Sequence, residues 1–489
     1  MNRPIRRVGY AVTVLILLLV AQLTYLQVVD ADNLANDPKN VRSALKEYNR
    51  ARGRILTADG QIVADSAPTT GDFKYVRFYP QGDLFAHVAG YQSFVNLVGS
   101  TGVEESYNRV LTGQDTSLQL SNIGDVLSGK AQTNDVVLSL TKSAQQTAKD
   151  ALGGQKGSVV ALDVHTGAVL AMYSNPSFNP NGLSVHDSQA VQDNFNAINS
   201  DANDKPALQR AYRERYPPGS TFKVVTTKSA LELGQATPDS SFPVTDSFQI
   251  PGVANPLFNF GKETCGGTLE ESFVVSCNAT FAKLGYDMGD AFAPAMDQCG
   301  IDNTPPIDLD PSAVESVGPN VGDPKPRFAL AGIGQGDVFT SPLQMALIAE
   351  SVANNGVIHE PHVVKEIENS DGKVVRTIDP KDWLTCMQPI TAAALTNMMV
   401  DVVNNGTGTG ASMSDQGIQV AGKTGTAETT EGENPHAWFI AFAPANAPRY
   451  AVAVIVEHGG VAGGDNATGG AVAAPIAKQM LQNLFATNP

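Results

Sequence analysis

The strongest constraint on the fold is where the β-type segments fall in the C-terminal part of the chain. Two of them flank residue 165 and three more follow residue 417; all are short, and most are apolar and bounded by turn residues. The stretch between them has helical and loop character. Strands at both ends, with helices between and after them, predict an α+β domain whose single sheet is assembled from both ends of the sequence. The five segments are residues 158–163, 168–173, 418–426, 437–443 and 450–456.

An apolar run near the N-terminus predicts a membrane segment. Arg3, Arg6 and Arg7 precede residues 8–29, which are almost entirely apolar, and roughly 20 such residues span a bilayer. Basic residues before the run favour a cytoplasmic N-terminus, with residues 1–7 inside and the rest of the chain outside the cell membrane. The alternative is a cleaved signal peptide, whose apolar region is shorter. The length therefore predicts a retained, single-pass anchor.

Composition excludes several classes of function. The 489 residues are 42% hydrophobic, enough for packed cores. The net charge of −16 argues against sequence-independent binding to nucleic acid, which needs a basic surface. The four cysteines, Cys265, Cys277, Cys299 and Cys386, would lie outside the membrane, where disulfides form. They allow three full pairings, of which proximity in sequence favours Cys265 with Cys277. Neither cysteines nor histidines have metal-site spacing, so we expect no metal and no cofactor.

The region after the anchor is polar and β-rich. Residues 53–56 and 61–64 flank a turn and predict a hairpin, while residues 136–140 predict a further strand. Residues 142–152 predict a helix that ends at Gly153-Gly154. We therefore expect a non-catalytic domain over residues 30–153 and a second domain over residues 154–489.

Ser220 is the first candidate for a catalytic residue. The turn Pro217-Pro218-Gly219 cannot continue a helix, and Ser220 opens the helical pattern that follows it. Lys223 stands three residues later, on the same helical face, which places an amine beside a hydroxyl. A serine needs an adjacent base to act as a nucleophile, and a lysine serves as that base only when its pKa is depressed.

The Ser-x-x-Lys spacing alone is too common to identify a site. It recurs at Ser43 and at Ser139, and neither of these serines follows a turn that opens a helix. Two further patterns single out Ser220. Ser276-Cys277-Asn278 and the triplet Lys423-Thr424-Gly425, which occurs once, follow it in order. Together the three patterns form the signature of penicillin-binding proteins and class A β-lactamases.

Each element of this constellation has a chemical reason. Acyl transfer needs a nucleophile, proton relays, an oxyanion hole and a group that binds the substrate carboxylate. We expect Ser220 to attack and Lys223 to accept its proton, with Lys423 as the second cation that lowers the pKa of Lys223. We expect Ser276 to pass a proton to the leaving amine and Asn278 to orient the substrate and Lys223.

The residues after Lys423 supply the substrate side. Thr424 and Thr426 offer hydroxyls for a terminal carboxylate, and Gly425 lets a substrate backbone approach the strand edge. The backbone N–H groups of Ser220 and Thr426 are the predicted oxyanion hole.

With these motifs in place, the chain resembles a class B penicillin-binding protein, and more closely the actinobacterial penicillin-binding protein A type. The resemblance covers nearly the whole chain. In the second domain it rests on residues 157–173, 216–223, 276–278, 332–336, 406–410 and 421–427, and in the first on residues 52–55 and 102–113.

The resemblance implies a fold and an activity. The fold would be an N-terminal membrane helix, a small β-rich pedestal domain and a transpeptidase domain with an antiparallel five-stranded sheet flanked by helices. The activity would be that of a D,D-transpeptidase, in which Ser220 attacks the D-Ala-D-Ala end of a peptidoglycan stem peptide and passes the acyl group to an amine on a neighbouring stem. β-Lactams would acylate the same serine. Members of this class work beside a SEDS-type glycan polymerase in the membrane.

Other functions remain open at this point. A D,D-carboxypeptidase differs only in using water as acceptor, and a non-catalytic scaffold or β-lactam sensor would use the fold only to bind. A sensor should have several membrane spans, and a scaffold should have lost part of the constellation. A class A β-lactamase needs a glutamate for deacylation. Glu350 with Asn354 has only a bare spacing for that role, in an apolar, helix-like run.

Overall fold

The computed structural model of the chain describes residues 3–29, 48–71, 73–95, 97–119, 133–429, 433–460 and 467–487. Its strands are β1 Ile55–Leu56, β2 Ile62–Pro68, β3 Tyr75–Phe78, β4 Asp135–Leu138, β5 Gly157–Asp163, β6 Val169–Asn175, β7 Ser241–Thr245, β8 Ser247–Phe248, β9 Leu257–Phe258, β10 Cys265–Thr268, β11 Val357–His359, β12 Val364–Glu368, β13 Val374–Thr377, β14 Asp382–Thr385, β15 Ala421–Ala427, β16 His436–Ala443 and β17 Tyr450–Val456.

The α-helices lie mainly between and after these strands. They are α1 Arg3–Thr24, α2 Ala86–Ala89, α3 Val103–Ser106, α4 Asn108–Leu111, α5 Thr116–Gln119, α6 Lys142–Leu152, α7 Asn181–Ser184, α8 Ser188–Ile198, α9 Lys223–Glu232, α10 Leu269–Val274, α11 Asn278–Met288, α12 Phe292–Asp297, α13 Lys325–Ala331, α14 Pro342–Ala353, α15 Pro389–Asn404 and α16 Ala474–Thr487.

Helix α1 is the membrane candidate. Together with the helical turn Tyr25–Val29 that continues it, it provides an apolar span, Ile5–Gln27, of 23 residues. None of this span is buried against the rest of the described chain. Nearly all of its leucines, isoleucines and valines are exposed, which is unfavourable in water and favourable in a bilayer. The chain therefore has one N-terminal helix that is long and apolar enough to anchor it to a membrane.

A six-stranded sheet, ordered β13-β12-β4-β1-β2-β3, forms the core of the region after the anchor. The predicted hairpin is present as β1 and β2, which pair antiparallel. Strands β12 and β13 come from far along the chain, and β12 pairs antiparallel with β4. The sequence analysis did not predict this pairing, because strand partners are chosen by tertiary packing rather than by local pattern.

A buried ion pair network supports the same region. The carboxylate of Glu104 accepts hydrogen bonds from the guanidinium groups of Arg52, at 2.8 Å, and Arg77, at 2.6 Å. All three side chains are almost completely buried. Burial by itself would raise the pKa of Glu104, but the two arginines outweigh it and lower that pKa.

The central sheet of the C-terminal part has five antiparallel strands in the order β15-β16-β17-β5-β6. It is built from both ends of the domain, as the positions of the strands predict. All residues of β16 and β17 are buried, which is typical of a sheet covered on both faces. Helix α14 packs against β5, β16 and β17, while α6 and α16 pack against each other, with α6 contacting β6 and α16 contacting β17.

Two disulfides lie in this part of the chain, Cys265–Cys277 and Cys299–Cys386. The first confirms the pairing that proximity favours. The second joins residues 87 positions apart, a pairing that the sequence left open. Cys277 lies between Ser276 and Asn278, so the first disulfide ties this segment to β10.

Candidate active site

The turn before α9 presents Ser220. The predicted helix start is a 3-10 turn, Gly219–Phe222, which leads directly into α9 at Lys223. Gly219 has a φ of +55°, and a Cβ there would lie 2.9 Å from the carbonyl oxygen of Thr426. Glycine at this position therefore permits both the left-handed backbone and the close approach of the turn to β15. Ser220 is partly exposed, and its hydroxyl has no hydrogen-bond partner among the described residues.

Lys223 is fully buried and held by three oxygens. Its Nζ lies 2.7 Å from the backbone oxygen of Ser276, 2.8 Å from Oδ1 of Asn278 and 3.2 Å from Oγ of Ser276. A neutral amine has two N–H groups, which the two shorter contacts use, so its lone pair remains to accept a proton. Burial lowers the pKa of Lys223 well below its usual range, and the charge of Lys423 lowers it further.

Ser276 links the two lysines. Its Oγ also accepts a hydrogen bond of 3.0 Å from Nζ of Lys423, which is fully buried as well. Burial lowers the pKa of Lys423 to about 7. The φ of Ser276 is +63°, a left-handed conformation that non-glycine residues adopt rarely and mostly at functional sites. The three sequence motifs therefore meet in space, with the side chain of Ser276 between those of Lys223 and Lys423.

The segment around Ser276 is fixed from several sides. Cys277 is held by its disulfide to Cys265. The side-chain oxygen of Asn259 accepts a hydrogen bond of 2.9 Å from the backbone N–H of Ala279, at the start of α11. These contacts come from β10 and from the turn after β9. They give a physical reason why the backbone of Ser276 holds an unfavourable conformation.

Lys423, Thr424, Gly425 and Thr426 lie on β15, the edge strand of the central sheet. An edge strand leaves backbone N–H and C=O groups open to an extended ligand. The sequence analysis assigns Gly425 to the close approach of a substrate backbone. In the structure a Cβ at this position would lie 2.9 Å from the backbone oxygen of Pro218, which is too close. The turn over residues 216–222, which presents the candidate nucleophile Ser220 and is hereafter called the nucleophile turn, therefore occupies the space beside Gly425.

The competing serine and glutamate have structural partners. Ser139 is buried, and its hydroxyl donates to the backbone oxygen of Val169 at 2.6 Å. Glu350 is buried in α14, where its Oε1 lies 2.8 Å from Nδ1 of His359, and burial raises its pKa to about 7. Ser43 lies outside the described residues. No group of three or more metal-ligating side chains occurs in the described part of the chain.

Comparison with known proteins identifies the family. A model of the penicillin-binding protein transpeptidase domain matches residues 157–482, and one of the penicillin-binding protein A dimerisation domain matches residues 52–137. The chain is 41% identical to the peptidoglycan D,D-transpeptidase PbpA of Mycolicibacterium smegmatis over 98% of both chains. It is 38% identical to the protein of that name from Mycobacterium tuberculosis over the full length of both.

The chain belongs to the class B penicillin-binding proteins.

Solved structures of penicillin-binding proteins have the same fold. The ceftriaxone acyl-enzyme complex of penicillin-binding protein A from M. tuberculosis superposes with a TM-score of 0.82 at 36% identity, over 90% of this chain and 99% of that one. The penicillin G acyl-enzyme complex gives 0.80 at 35% identity, over 89% and 100%. These structures confirm the predicted α+β fold class, in which helices flank a five-stranded antiparallel sheet.

Sequence reasoning missed two residues of this penicillin-binding protein that touch the motifs. The hydroxyls of Thr407 and Thr424 lie 2.6 Å apart, so Thr407 orients a side chain of the predicted carboxylate site. Trp438 donates its indole N–H to the backbone oxygen of Pro217 at 3.1 Å. A glycine-rich run around Thr407 was a visible signal, whereas nothing near Trp438 in the sequence indicated a link to residue 217.

Proposed function

We propose that this chain is a peptidoglycan D,D-transpeptidase that uses Ser220 as its nucleophile. The observation that carries the proposal is the convergence of two buried lysines on one serine, beside the turn that presents Ser220. Burial supplies the low pKa that a lysine base requires. The identity to D,D-transpeptidases over the full chain supports the same reaction.

The acylation half follows from these groups. Ser220 Oγ attacks the carbonyl carbon of the penultimate D-alanine, and its proton passes to the neutral amine of Lys223. The N–H groups of Ser220 and Thr426 stabilise the oxyanion of the tetrahedral intermediate. When the intermediate collapses, the peptide C–N bond breaks. Ser276 delivers a proton to the departing amino group of D-alanine, and Lys223 restores the proton of Ser276.

The substrate carboxylate explains the remaining residues. Lys423 offers a positive charge at the end of the site, and Thr424 and Thr426 offer hydroxyl donors for the C-terminal carboxylate. Asn278 orients the substrate and Lys223 through its side-chain amide. In the second half, an amine of a neighbouring stem attacks the acyl-serine ester and releases Ser220. The product is an amide cross-link.

Two experiments test this proposal. Labelling with a fluorescent penicillin should modify the wild-type protein and not Ser220→Ala. Equal labelling of both would refute the assignment of the nucleophile. A stem-peptide donor, supplied with and without an amine acceptor, should yield a cross-linked product only when the amine is present. Exclusive hydrolysis would instead identify a D,D-carboxypeptidase, and labelling without turnover of any donor would identify a penicillin-binding scaffold.

The proposal extends to the setting of the enzyme. Arg3, Arg6 and Arg7 before the apolar helix support a cytoplasmic N-terminus and a catalytic domain outside the cell membrane. The two family models fall on either side of residue 153, which supports a non-catalytic region over residues 30–153 and a transpeptidase domain over residues 154–489. The proposed partnership with a SEDS-type glycan polymerase is supported only by family membership. Co-purification of the two proteins from membranes would test it.

A further inference from the structure

The backbone of the nucleophile turn is bonded mainly to one segment outside the central sheet. The N–H and C=O groups of Tyr216 pair with those of Thr340, both at 2.9 Å. The N–H of Gly219 donates to the backbone oxygen of Gly334, also at 2.9 Å. Both partners belong to the connection between α13 and α14. These hydrogen bonds attach the turn to the α13–α14 connection. They do not set the position of the turn relative to the strands of the central sheet, so other contacts must do so.

A side chain from the sheet supplies that contact. Trp438 lies on β16 directly opposite Gly425 of β15, is fully buried, and donates its indole N–H to the carbonyl oxygen of Pro217 at 3.1 Å. Proline has no N–H, so this carbonyl is the one backbone hydrogen-bonding group of Pro217. No other side chain in the described part of the chain donates to it.

The nucleophile turn, β15 and Trp438 pack closely around this bond. A Cβ at Gly425 would lie 3.0 Å from Cβ of Trp438 and 2.9 Å from the backbone oxygen of Pro218. The turn, the strand that carries Thr426 and the base of the indole are therefore in direct contact. A shift of the turn along the strand changes the separation of Ser220 from Thr426, whose two N–H groups form the proposed oxyanion hole.

We propose that Trp438 is a positioning residue for the acylation of Ser220. It acts through Pro217, by holding the nucleophile turn at a set place on the sheet, and it need not touch the substrate. This inference rests on the proposed function, because acylation is the step that it concerns. A misplacement of about 1 Å in reacting groups costs up to about a hundredfold in rate, so a single bond that sets this spacing is expected to matter for rate more than for binding.

The test replaces the indole N–H and nothing else. Site-specific substitution of Trp438 by 3-benzothienylalanine keeps the shape of the ring system and exchanges the N–H for sulfur. We expect the first-order acylation constant with a fluorescent penicillin, expressed per acylatable site, to fall about tenfold to a hundredfold. Non-covalent affinity should change by less than about twofold, and the midpoint of the acidic limb of the pH profile should stay in place because the lysines are untouched.

The matched control is the other tryptophan of the chain. Trp383 lies on β14, outside the candidate site, and the same replacement there should leave the acylation constant unchanged. Trp438→Phe, which retains an aromatic ring without the N–H, is measured in parallel, so that the inference does not depend on one variant folding. Rates are normalised to titrated sites, which separates slow acylation from a loss of folded protein.

One result would overturn the inference: an acylation constant per site of the Trp438 variants within about twofold of wild type. A lower unfolding midpoint beside that unchanged constant would show that the bond stabilises the fold without positioning the turn. Failure of the proposed function looks different: the wild-type protein and Ser220→Ala would label alike, or the wild-type protein would not transfer a stem-peptide donor to an amine.

Discussion

Replacement of Lys423 by alanine should move the pH dependence of acylation upward. In the proposed mechanism acylation requires neutral Lys223, so the rate should rise with pH through the pKa of this lysine. Burial lowers that pKa first and the charge of Lys423 second. When the second cation is removed, Lys223 holds its proton to higher pH. The acidic limb of the pH profile therefore shifts toward higher pH, and the maximal rate falls because the substrate carboxylate loses its cation.

The size of the shift follows from the geometry. Both lysine nitrogens lie within 3.2 Å of the same oxygen, Oγ of Ser276. Two unit charges about 6 Å apart repel by about 3 kcal/mol at an effective dielectric constant of about 20. This energy corresponds to about a hundredfold change in the protonation equilibrium of Lys223. The acidic limb of the pH profile should therefore move by up to about two pH units. Lys423 itself titrates at about 7, so near neutral pH only part of the repulsion acts.

The assay is the second-order rate constant for acylation by a fluorescent penicillin, measured from pH 5 to pH 10 and normalised to titrated sites. Lys423→Arg is the matched control, because it keeps a cation beside Ser276. Its limb should stay near that of the wild type even if its maximal rate falls. An alanine variant with a lower rate and an unmoved limb would refute the coupling and leave burial as the sole cause of the low pKa of Lys223.

Three further predictions concern contacts that the sequence did not reveal. Thr407→Val removes the partner of the Thr424 hydroxyl and should lower β-lactam acylation about tenfold with little loss of stability, as measured by labelling kinetics and thermal unfolding. Glu104→Gln leaves two buried arginines uncompensated and should lower the free energy of unfolding by about 3 kcal/mol in chemical denaturation, with unchanged acylation per site. Burial lowers the pKa of His87 to about 4. Because the unfolded chain takes up this proton at about 6.5, stability should be complete above that pH and fall by up to about 3 kcal/mol toward pH 4, a loss that His87→Gln should remove.

Local pattern was a good guide to individual helices and strands of the chain. The helix predicted over residues 142–152 is α6, and the segment at residues 450–456 is β17, with the same bounds. The five-stranded sheet assembled from both ends of the domain is confirmed. Most of these strands are apolar, α6 buries one face, and turn residues bound them, so local preference and tertiary packing agree.

The candidate site was predictable for a different reason. A turn that opens a helix, a lysine one helical turn later and a Lys-Thr-Gly triplet on a predicted strand are each local, and chemistry demands their combination. The structure brings Lys223, Ser276, Asn278 and Lys423 into one hydrogen-bonded group. Their catalytic roles, with that of Ser220, stay predictions for the variants above to test.

Tertiary structure decided the features that depend on burial and on distant partners. The sequence analysis attributed the low pKa of Lys223 to a second cation, whereas burial is the larger cause, and burial cannot be computed from neighbours in sequence. The pairing of Cys299 with Cys386 and of β12 with β4 likewise joins segments far apart in the chain.

The amino-acid order alone specifies which groups are available to the chain: an apolar N-terminal helix, a β-rich segment, a helix-opening serine and two lysines in the right succession. Local periodicity and turn chemistry act over a few residues, so they can be read directly. The three-dimensional fold decides how those groups behave. It buries both lysines, places Ser276 between them and sets Trp438 against Pro217, because dielectric environment and spacing arise only when distant segments pack together.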